Sequence, residues 1–280
     1  MVQGKNQTLV VFLINMISEK QIKVITQNCF IGRKVKAIIK LINEEKPDIC
    51  CLQEITGRNF VEKVKKETKY NYILSEGTKT VIPKVYFHTA ILTKFEILEV
   101  GEFNWKKKSR KWIEPFAGKA LWSLLRSKGI SILIYNCYFS IVDQGMAERG
   151  KMLVEIIKHA NSFNKPAVIC GDMNTTIPDS KHRRILVQLW NRFPTPSYET
   201  LGEFADKNEK YFFYETAKKH GFEEAGDMNR NTWRMLLTRR EAFKVKLDWM
   251  LYRGLKKSSS SIGDWIGDHR AIIGNFTQDN

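Results

Sequence analysis

The amino-acid sequence predicts an α/β sandwich in which two packed β-sheets are covered by helices. Short apolar runs, rich in β-branched and aromatic residues, alternate along the chain with stretches that carry apolar residues at helical spacing. The sequence contains no internal repeat and no linker long enough to separate two domains. Because such elements bury their apolar faces best as packed layers, we expect residues 21–280 to form a single domain.

The first half of this domain is predicted to contain two helices within a series of strands. Isoleucine and valine at helical spacing predict a helix over 33–46, which Pro47 ends, and the polar amphipathic stretch 57–69 predicts a second helix. Apolar runs, several of them at hairpin spacing, predict strands at 21–30, 47–54, 71–77, 85–94, 95–105, 119–127 and 131–140.

The second half is predicted to be less regular. Between 179 and 245 the pattern mixes helix with loops marked by Pro194 and Pro196. The low-complexity run KKSSSS at 256–261 predicts a flexible hairpin loop. The predicted helices are 147–163, 185–193 and 211–220, and the predicted strands are 165–174, 246–253 and 271–276.

Residues 1–20 precede the predicted domain as an N-terminal extension. The apolar run at 9–14 is short for a signal sequence and has no obvious cleavage site, and no run approaches the roughly 20 apolar residues that span a bilayer. Met16 would also be a natural start of the protein. The extension is therefore either an added edge strand or an over-extended start.

All five cysteines lie in apolar, strand-like runs, and the sequence has no CxxC pair or Cys/His cluster at zinc spacing. Buried free thiols in a reducing compartment are the expected state. Adjacent Cys50 and Cys51 should point to opposite faces of one strand. We expect a cytoplasmic monomer without a disulfide-linked partner and without a transmembrane segment.

The charge balance is strongly basic. Lysine and arginine number 46 against 30 acidic residues, a formal net charge of +16. This excess predicts a polyanionic partner, either nucleic acid or an anionic membrane surface. The alternative explanation is that the excess positive charge serves only to keep the protein soluble.

Polar side chains stand inside or at the ends of several otherwise apolar strands. They are not expected there by default, since a buried charge needs a partner or a metal ion. Together with an Asp-His pair near the end of the chain, they predict one hard-cation site that handles phosphate. The residues are Asn28, Glu54, Asp172, Asn174, Asp248, Asp268 and His269.

Asp172 and Asn174 follow Gly171 and lie two residues apart, so in extended backbone they face the same side. Asp172 could take a proton from an attacking water, and the Asn174 amide could hold that water or the oxyanion. The same run is also typical of an ordinary Asx-turn, and this alternative stays open.

Glu54 and Asn28 are the candidate metal ligands in the first half of the chain. Glu54 suits Mg²⁺, with Mn²⁺ as a substitute, because Mg²⁺ binds through one or two carboxylates together with waters and phosphate. Asn28 could ligate the metal, orient a carboxylate or contact phosphate. The alternatives are a solvated glutamate and a strand-end cap.

His269 is the one histidine that lies among the candidate site residues, directly after Asp268. It could stabilise charge on a scissile phosphate, with Asp248 holding its ring in one tautomer and Asp268 as a further metal ligand. His88 could lie in the core or in a cleft. His159, His182 and His220 are expected on solvated helical faces.

In this order, the motifs resemble the endonuclease/exonuclease/phosphatase superfamily, which has the DNase-I-like fold. Each motif is short, but seven occur in family order over residues 21–276. The resemblance implies a four-layered α/β sandwich of two mainly antiparallel sheets flanked by helices, with the site at one end. The matching segments are 24–30, 51–54, 89–94, 134–140, 169–174, 247–253 and 267–272.

The resemblance also implies a role for each strand-end residue. Those roles are phosphate orientation for Asn28, principal Mg²⁺ ligation for Glu54, water activation for Asp172 with Asn174 beside it, partnership with His269 for Asp248, and further metal or water binding for Asp268.

The chain departs from the family pattern at two positions. Tyr138 stands where many members have histidine. Members of the apurinic endonuclease and exonuclease III branch resemble this chain in having tyrosine there. Leaving-group protonation would then fall to Tyr138 or to metal-bound water. Asn136, two residues earlier, is a candidate substrate contact. Gly267 stands where serine is usual, which removes a hydroxyl and is expected to loosen the loop.

Two basic and aromatic stretches are candidate substrate contacts, because lysine and arginine grip phosphates while aromatic rings stack on bases. One is a predicted hairpin tip, and the other leads into the Asp248 strand; the alternative is solvated loops with aromatic residues in the core. The candidates are Lys106, Lys107, Lys108, Arg110, Trp233 and Arg234.

These observations together predict a Mg²⁺-dependent phosphodiesterase that hydrolyses nucleic acid by in-line attack of water. DNA is the favoured substrate, with either endonuclease or exonuclease action. A lipid or inositol phosphoesterase is the alternative within the superfamily. A catalytically inactive, basic nucleic-acid-binding protein is the alternative from another class.

Overall fold

The computed structural model describes residues 21–79, 86–105, 118–127, 129–139, 145–175, 209–237 and 240–278. Within them, two β-sheets pack face to face and helices cover their outer faces, as the sequence predicts. The predicted N-terminal extension and the predicted helix at 185–193 lie outside the described residues. None of the helices described is long and apolar enough to cross a membrane.

The first sheet is built around the parallel pair β1 and β2. Its other pairings are antiparallel, and the strands follow the order β12-β11-β15-β1-β2-β5-β3, with β14 on β15 and β4 on β5. The strands are β1 (Ile22–Asn28), β2 (Ile49–Ile55), β3 (Asn71–Leu74), β4 (Thr78–Lys79), β5 (Tyr86–Thr93), β11 (Trp233–Leu237), β12 (Arg240–Val245), β14 (Leu255–Ile266) and β15 (His269–Gln278).

The second sheet has the same plan, with one parallel pair, β8 and β9, among antiparallel neighbours. Its order is β10-β13-β9-β8-β7-β6. The strands are β6 (Glu96–Asn104), β7 (Lys119–Ser127), β8 (Ile130–Tyr138), β9 (Ala167–Asp172), β10 (Glu223–Glu224) and β13 (Asp248–Arg253).

Four helices are described, and they form the two outer layers. Helices α1 (Val35–Glu45) and α2 (Arg58–Thr68) cover the first sheet, while α3 (Gly145–Ser162) and α4 (Glu209–Lys219) cover the second. Isoleucine, leucine and valine side chains from both sheets fill the layer between them. The prediction for the cysteine pair is confirmed, since Cys51 faces this central layer and Cys50 faces the helices. All five cysteines are buried free thiols.

The serine-rich run at 256–261 is not a loop, so this prediction is wrong. It lies within β14, where Lys257 pairs with Phe276 and Ser261 pairs with Ile273 of β15. The apolar residues of β15 supply the burial, so that its exposed neighbour needs only backbone pairing, which serine permits. Low complexity on an outer face therefore does not exclude a strand.

The turn of this hairpin lies instead at Gly267 and Asp268, between the paired residues Ile266 and His269. Gly267 has a φ of +72°, and a Cβ there would lie 2.7 Å from Cβ of Phe30. Two-residue hairpin turns require such a conformation at the first position. The glycine therefore permits a tight turn against Phe30, and the expectation that it loosens the loop is wrong.

The expectation that His159 is solvated is also wrong. Its Nδ1 lies 2.7 Å from the hydroxyl of Tyr135, and its ring centroid lies 4.8 Å from that of Trp122. Burial lowers the pKa of this histidine. The helical face that carries His159 therefore packs on the second sheet through an aromatic cluster.

Candidate active site

The two parallel strand pairs bring the predicted polar residues to one end of the sandwich. Asn28 and Glu54 lie at the carboxyl ends of β1 and β2, and Tyr138 and Asp172 lie at those of β8 and β9. Nδ2 of Asn28 donates a hydrogen bond of 2.9 Å to Oδ2 of Asp172, which joins the two sheets. One of the roles proposed for Asn28, that of orienting a carboxylate, is therefore present.

Glu54 is aimed into the site by an irregularity in its strand. The pairing of β2 with β5 shifts between Leu52 and Ile55, and Glu54 takes a left-handed φ of +54°. Its Oε2 accepts 2.8 Å from the N–H of Ile31, and its Oε1 accepts 3.2 Å from the hydroxyl of Tyr138. Such bulges and left-handed residues cost free energy and concentrate at functional sites.

The Gly171 motif has a packing reason as well as a chemical one. Gly171 has a φ of +134°, and a Cβ there would lie 2.0 Å from the carbonyl oxygen of Cys137, so only glycine lets β9 approach β8 so closely. The N–H of Asn174 donates 3.0 Å to Oδ1 of Asp172, and its Nδ2 donates 2.8 Å to the carbonyl of Phe139. The Asx-turn is therefore present, and it fixes the Asp172 carboxylate.

The Asp248–His269 pairing predicted from the sequence is also present. Nδ1 of His269 lies 2.9 Å from Oδ2 of Asp248, and Nε2 lies 3.8 Å from Oδ2 of Asp172. All three side chains are buried. Since Asp248 occupies Nδ1, the other ring nitrogen points toward Asp172.

The charges of these groups perturb one another. Burial raises the pKa of Asp172 to about 7, with Asp248 and Glu54 adding to the rise and His269 opposing it. Burial alone would lower the pKa of His269, but the carboxylates of Asp248, Asp172 and Asp268 raise it to about 10. At neutral pH the imidazole is therefore a cation beside a carboxylate that can take up a proton.

Burial also raises the pKa of Glu54 and of Tyr138. For Tyr138 the negative charges of Glu54 and Asp172 act in the same direction. The phenol therefore stays neutral and donates its proton toward Glu54.

Asp268 is held by two of the residues that were predicted to bind substrate, Trp233 and Arg234. Nε1 of Trp233 donates 3.1 Å to its Oδ2, and the N–H of Arg234 donates 3.0 Å to its carbonyl. The guanidinium of Arg234 donates 3.2 Å to the carbonyl of Gly267. Trp233 and Arg234 therefore lie beside the site and support the turn that carries Asp268.

Asn136 is the predicted substrate contact that the structure places elsewhere. Its Nδ2 donates to the carbonyls of Leu52 and Ala90, at 2.9 and 2.8 Å, and its Oδ1 accepts 2.6 Å from Nε2 of Gln53. Both amide N–H groups are used inside the core, which indicates a structural role. The other predicted contacts, Lys106, Lys107, Lys108 and Arg110, lie outside the described residues.

The donor set fits a hard cation. Among the described residues, ligand atoms of Asp172, Asp248 and His269 lie within 4.8 Å of one another. Oδ1 of Asp248 and Oδ1 of Asp268 are buried and have no hydrogen-bond partner within that part of the chain. Because His269 is paired and holds its proton, the carboxylate oxygens are the better ligands, and Mg²⁺ prefers oxygen.

Sequence reasoning missed Lys119, which lies next to this site. It pairs with Tyr138 across β7 and β8, and only 2% of it is exposed. Nζ lies 3.4 Å from Oγ of Ser75 and also donates to the carbonyl of Glu76. Its signal was a charge at the start of an apolar strand, the same rule that identified Glu54 and Asp172.

Comparisons with known proteins place the fold and the sequence in one family. The model of the endonuclease/exonuclease/phosphatase family matches residues 25–269, whereas no curated protein sequence matches. A family protein from Bacteroides vulgatus has a TM-score of 0.66 at 16% identity, covering 92% of this chain and 99% of its own. TDP2 from Caenorhabditis elegans has a TM-score of 0.63 at 15% identity, covering 92% and 75%.

A family protein from Leptotrichia buccalis has a TM-score of 0.65 at 16% identity, covering 91% of this chain and 99% of its own. Likeness at such identities shows the fold alone. The family model adds sequence agreement over most of the chain, and its matched residues include every strand-end position from Asn28 to His269. The chain therefore belongs to the endonuclease/exonuclease/phosphatase family.

Proposed function

We propose that this protein is a Mg²⁺-dependent phosphodiesterase that hydrolyses nucleic acid, DNA in the first place, by in-line attack of water. The observation that carries the proposal is the Asp172 carboxylate, held by Asn28 and Asn174 and lying 3.8 Å from the paired imidazole of His269. Members of the family are generally metal-dependent hydrolases. Asp172 supplies the group that activates water, and His269 supplies the cation that stabilises phosphate charge.

Asp172 acts as the general base in this proposal. A pKa of about 7 suits a group that must be ionised at working pH and still accept a proton. The hydrogen bonds from Asn28 and Asn174 hold the carboxylate in one orientation, so little reorganisation is needed when it takes the proton of the attacking water.

His269 is the cation that stabilises charge on the phosphate, and Tyr138 is the donor for the leaving oxygen. The imidazolium of His269, held by Asp248, offers its Nε2–H to an oxygen on which negative charge builds. The neutral phenol of Tyr138 is a hydrogen-bond donor that can serve the leaving oxygen. The residues themselves thus supply a base, a cation and an acid.

Glu54, Asn28 and Asp268 are the residues that would hold the metal ion, and the unpartnered Oδ1 of Asp248 is a further oxygen donor among the described residues. When bound, Mg²⁺ neutralises phosphate charge and lowers the pKa of a bound water. Burial raises the pKa of Glu54 even though the charge of His269 opposes the rise, and a divalent ion beside this carboxylate would favour its ionised form.

The substrate class follows from charge. A net charge of +16 favours a long polyanion over a small phosphate ester. Arg234, which lies beside the turn that carries Asp268, would contact a phosphodiester backbone in a sequence-tolerant way. An anionic lipid surface has the same charge, so a phosphoinositide is the competitor that an experiment must include.

The test is hydrolysis of supercoiled plasmid, an abasic-site duplex and a phosphoinositide panel, each with Mg²⁺ and with chelator. We expect Mg²⁺-dependent cleavage of at least one DNA, and losses of about 10²-fold or more in Asp172→Asn and Glu54→Gln. Glu96→Gln is the matched control, because Glu96 is exposed and pairs with Arg126 at the surface. It should cleave like the wild type.

Two outcomes would reject the proposal. Phosphate release from lipid alone would identify a lipid phosphoesterase. Binding of DNA without turnover in Mg²⁺ or Mn²⁺ would identify a catalytically inactive nucleic-acid-binding protein.

A further inference from the structure

Two arginines and a tryptophan from three adjacent strands form a cluster beside the hairpin turn that carries Asp268. Arg234 lies on β11, Arg270 on β15 and Trp265 on β14, and Trp265 is the cross-strand partner of Arg270. The guanidinium carbons of Arg234 and Arg270 lie 4.5 and 5.4 Å from the centroid of the Trp265 ring. All three side chains are partly exposed.

Hydrogen bonds to the backbone of the same hairpin fix both guanidinium groups. Arg270 donates 2.7 Å from Nε to the carbonyl of Gly263, and Arg234 donates 3.2 Å to the carbonyl of Gly267. Arginine has five N–H donors in a rigid fork, and the bond from Arg270 to Gly263 uses only one of them. The two groups are held in place by an indole face and carbonyl oxygens.

No acidic side chain of the described residues neutralises the charge of Arg270. Among the described residues it makes no ion pair within 4.0 Å, although exposed arginines elsewhere, such as Arg126, pair with glutamate. An oriented guanidinium that is packed on an aromatic ring and lacks a carboxylate partner is suited to bidentate recognition of phosphate.

The cluster lies beside the catalytic residues in the chain. Arg270 follows His269 directly, and consecutive side chains leave a strand on opposite faces. Arg270 lies two residues after the candidate metal ligand Asp268, and the backbone N–H of Arg234 donates 3.0 Å to the carbonyl of Asp268. A nucleic-acid strand suits both regions, because its phosphates repeat on either side of the scissile one.

We infer that Arg234, Arg270 and Trp265 form a phosphate-binding surface for the flanking backbone of the nucleic-acid strand that is cleaved. This inference rests on the proposed function and extends it, because it names the part of the substrate that this face holds. Binding there is independent of base sequence and adds affinity only when the strand extends beyond the scissile phosphate.

The test is fluorescence anisotropy with labelled single-stranded oligonucleotides of 4 and 15 nucleotides, in chelator and over a range of salt. In the wild type we expect tighter binding of the longer strand. Arg270→Met should weaken binding of the 15-mer by about five- to twentyfold and reduce the slope of log K against log salt by about 1. Its effect on the 4-mer should be smaller.

Arg253→Met is the matched control. Arg253 also lies over an aromatic ring, that of Phe222 at 5.1 Å, but it is at the opposite end of β13 from Asp248, roughly 16 Å along the strand. It should bind both oligonucleotides like the wild type. Arg270→Lys keeps the charge without the fork and should recover the salt slope with only part of the affinity.

Wild-type binding and an unchanged salt slope in a folded Arg270→Met protein would overturn the inference, as would an affinity loss equal for both strand lengths. If Arg270→Met does not fold, the same comparison is made with Arg270→Gln and Trp265→Leu. Because the measurement needs no turnover, it is separate from the proposed function. An active enzyme whose binding ignores Arg270 rejects this surface alone, and an inactive protein that needs Arg270 rejects the proposed activity alone.

Discussion

Single residues in unusual environments mark this site more sharply than the motifs do. Glu54 and Asn174 have left-handed backbones, with φ near +54° and +50°, in positions where most side chains would avoid that conformation. Lys119 is a nearly fully buried lysine whose pKa burial lowers to about 8 from its ordinary 10.5. Each of these costs stability, which is expected where side chains are placed for chemistry.

Lys119 makes stability depend on pH in a defined window. Below about pH 8 the ammonium is charged in both folded and unfolded protein, and the folded state bears the cost of burial. Between pH 8 and 10.5 the folded protein has released the proton while the unfolded chain keeps it, so stability rises with pH. At 1.36 kcal/mol per pH unit the gain is roughly 3 kcal/mol.

We therefore expect the free energy of unfolding of the wild type to rise by about 3 kcal/mol relative to Lys119→Met across this window. Urea denaturation at intervals between pH 7.5 and 10.5 measures the difference. Lys256→Met, on the exposed strand β14, is the control and should follow the wild type at every pH. Parallel curves for wild type and Lys119→Met would contradict the assignment.

At the scale of elements, a buried ion pair holds the strand that carries Asp248. Nζ of Lys246 lies 3.0 Å from Oε1 of Glu224 on β10, donates 3.0 Å to the carbonyl of Asp248, and lies 4.7 Å from the ring centroid of Trp249. The hydroxyl of Thr232, just before β11, accepts from the N–H of Asp248 at 2.9 Å. The position of Asp248 thus depends on three neighbouring segments.

Breaking this pair should be expensive, because it leaves a carboxylate buried without its cation. We expect Lys246→Met to lower the free energy of unfolding by about 3–5 kcal/mol, and Glu224→Leu in the same protein to restore part of it. Arg126→Met removes the exposed pair with Glu96 and should cost less than about 1 kcal/mol. Equal losses from Lys246→Met and Arg126→Met in urea denaturation would refute the argument.

At the scale of the molecule, the site exists because the two sheets are held in one position relative to each other. Asn28 bonds to Asp172 across the sheets, and Asn136 on β8 reaches the carbonyls of Leu52 and Ala90 on β2 and β5. These polar contacts lie in an otherwise apolar layer, where an unmatched hydrogen-bonding group is costly. They fix which residues of one sheet face which residues of the other.

Asn136→Ala should therefore lower stability through three lost hydrogen bonds. We expect about 3 kcal/mol or more, because the carbonyls of Leu52 and Ala90 and the amide of Gln53 stay buried. Asn275→Ala is the control, since that amide bonds at the surface to Ser259, and it should cost within about 0.5 kcal/mol. Unchanged stability with a raised KM would instead support substrate binding by Asn136.

Much of the architecture follows from local pattern. Helical spacing predicts α1 and α2, apolar runs predict the strands that carry the site, and polar residues at their ends predict Asn28, Glu54, Asp172, Asp248 and His269 as one site. Strand ends can be identified from sequence because burial dictates where an apolar run stops. The order of these residues was enough to indicate the family.

Contacts between segments that are distant in sequence decided the features that local pattern did not predict. The bulge that turns Glu54 inward depends on its pairing with β5, and the burial of Lys119 and of the Lys246–Glu224 pair depends on strands far away in sequence. The serine-rich run became a strand because β15 supplied the backbone partners and the apolar face that the run lacks. Periodicity reports what one segment prefers, whereas register, burial and electrostatics arise only when two sheets are packed together.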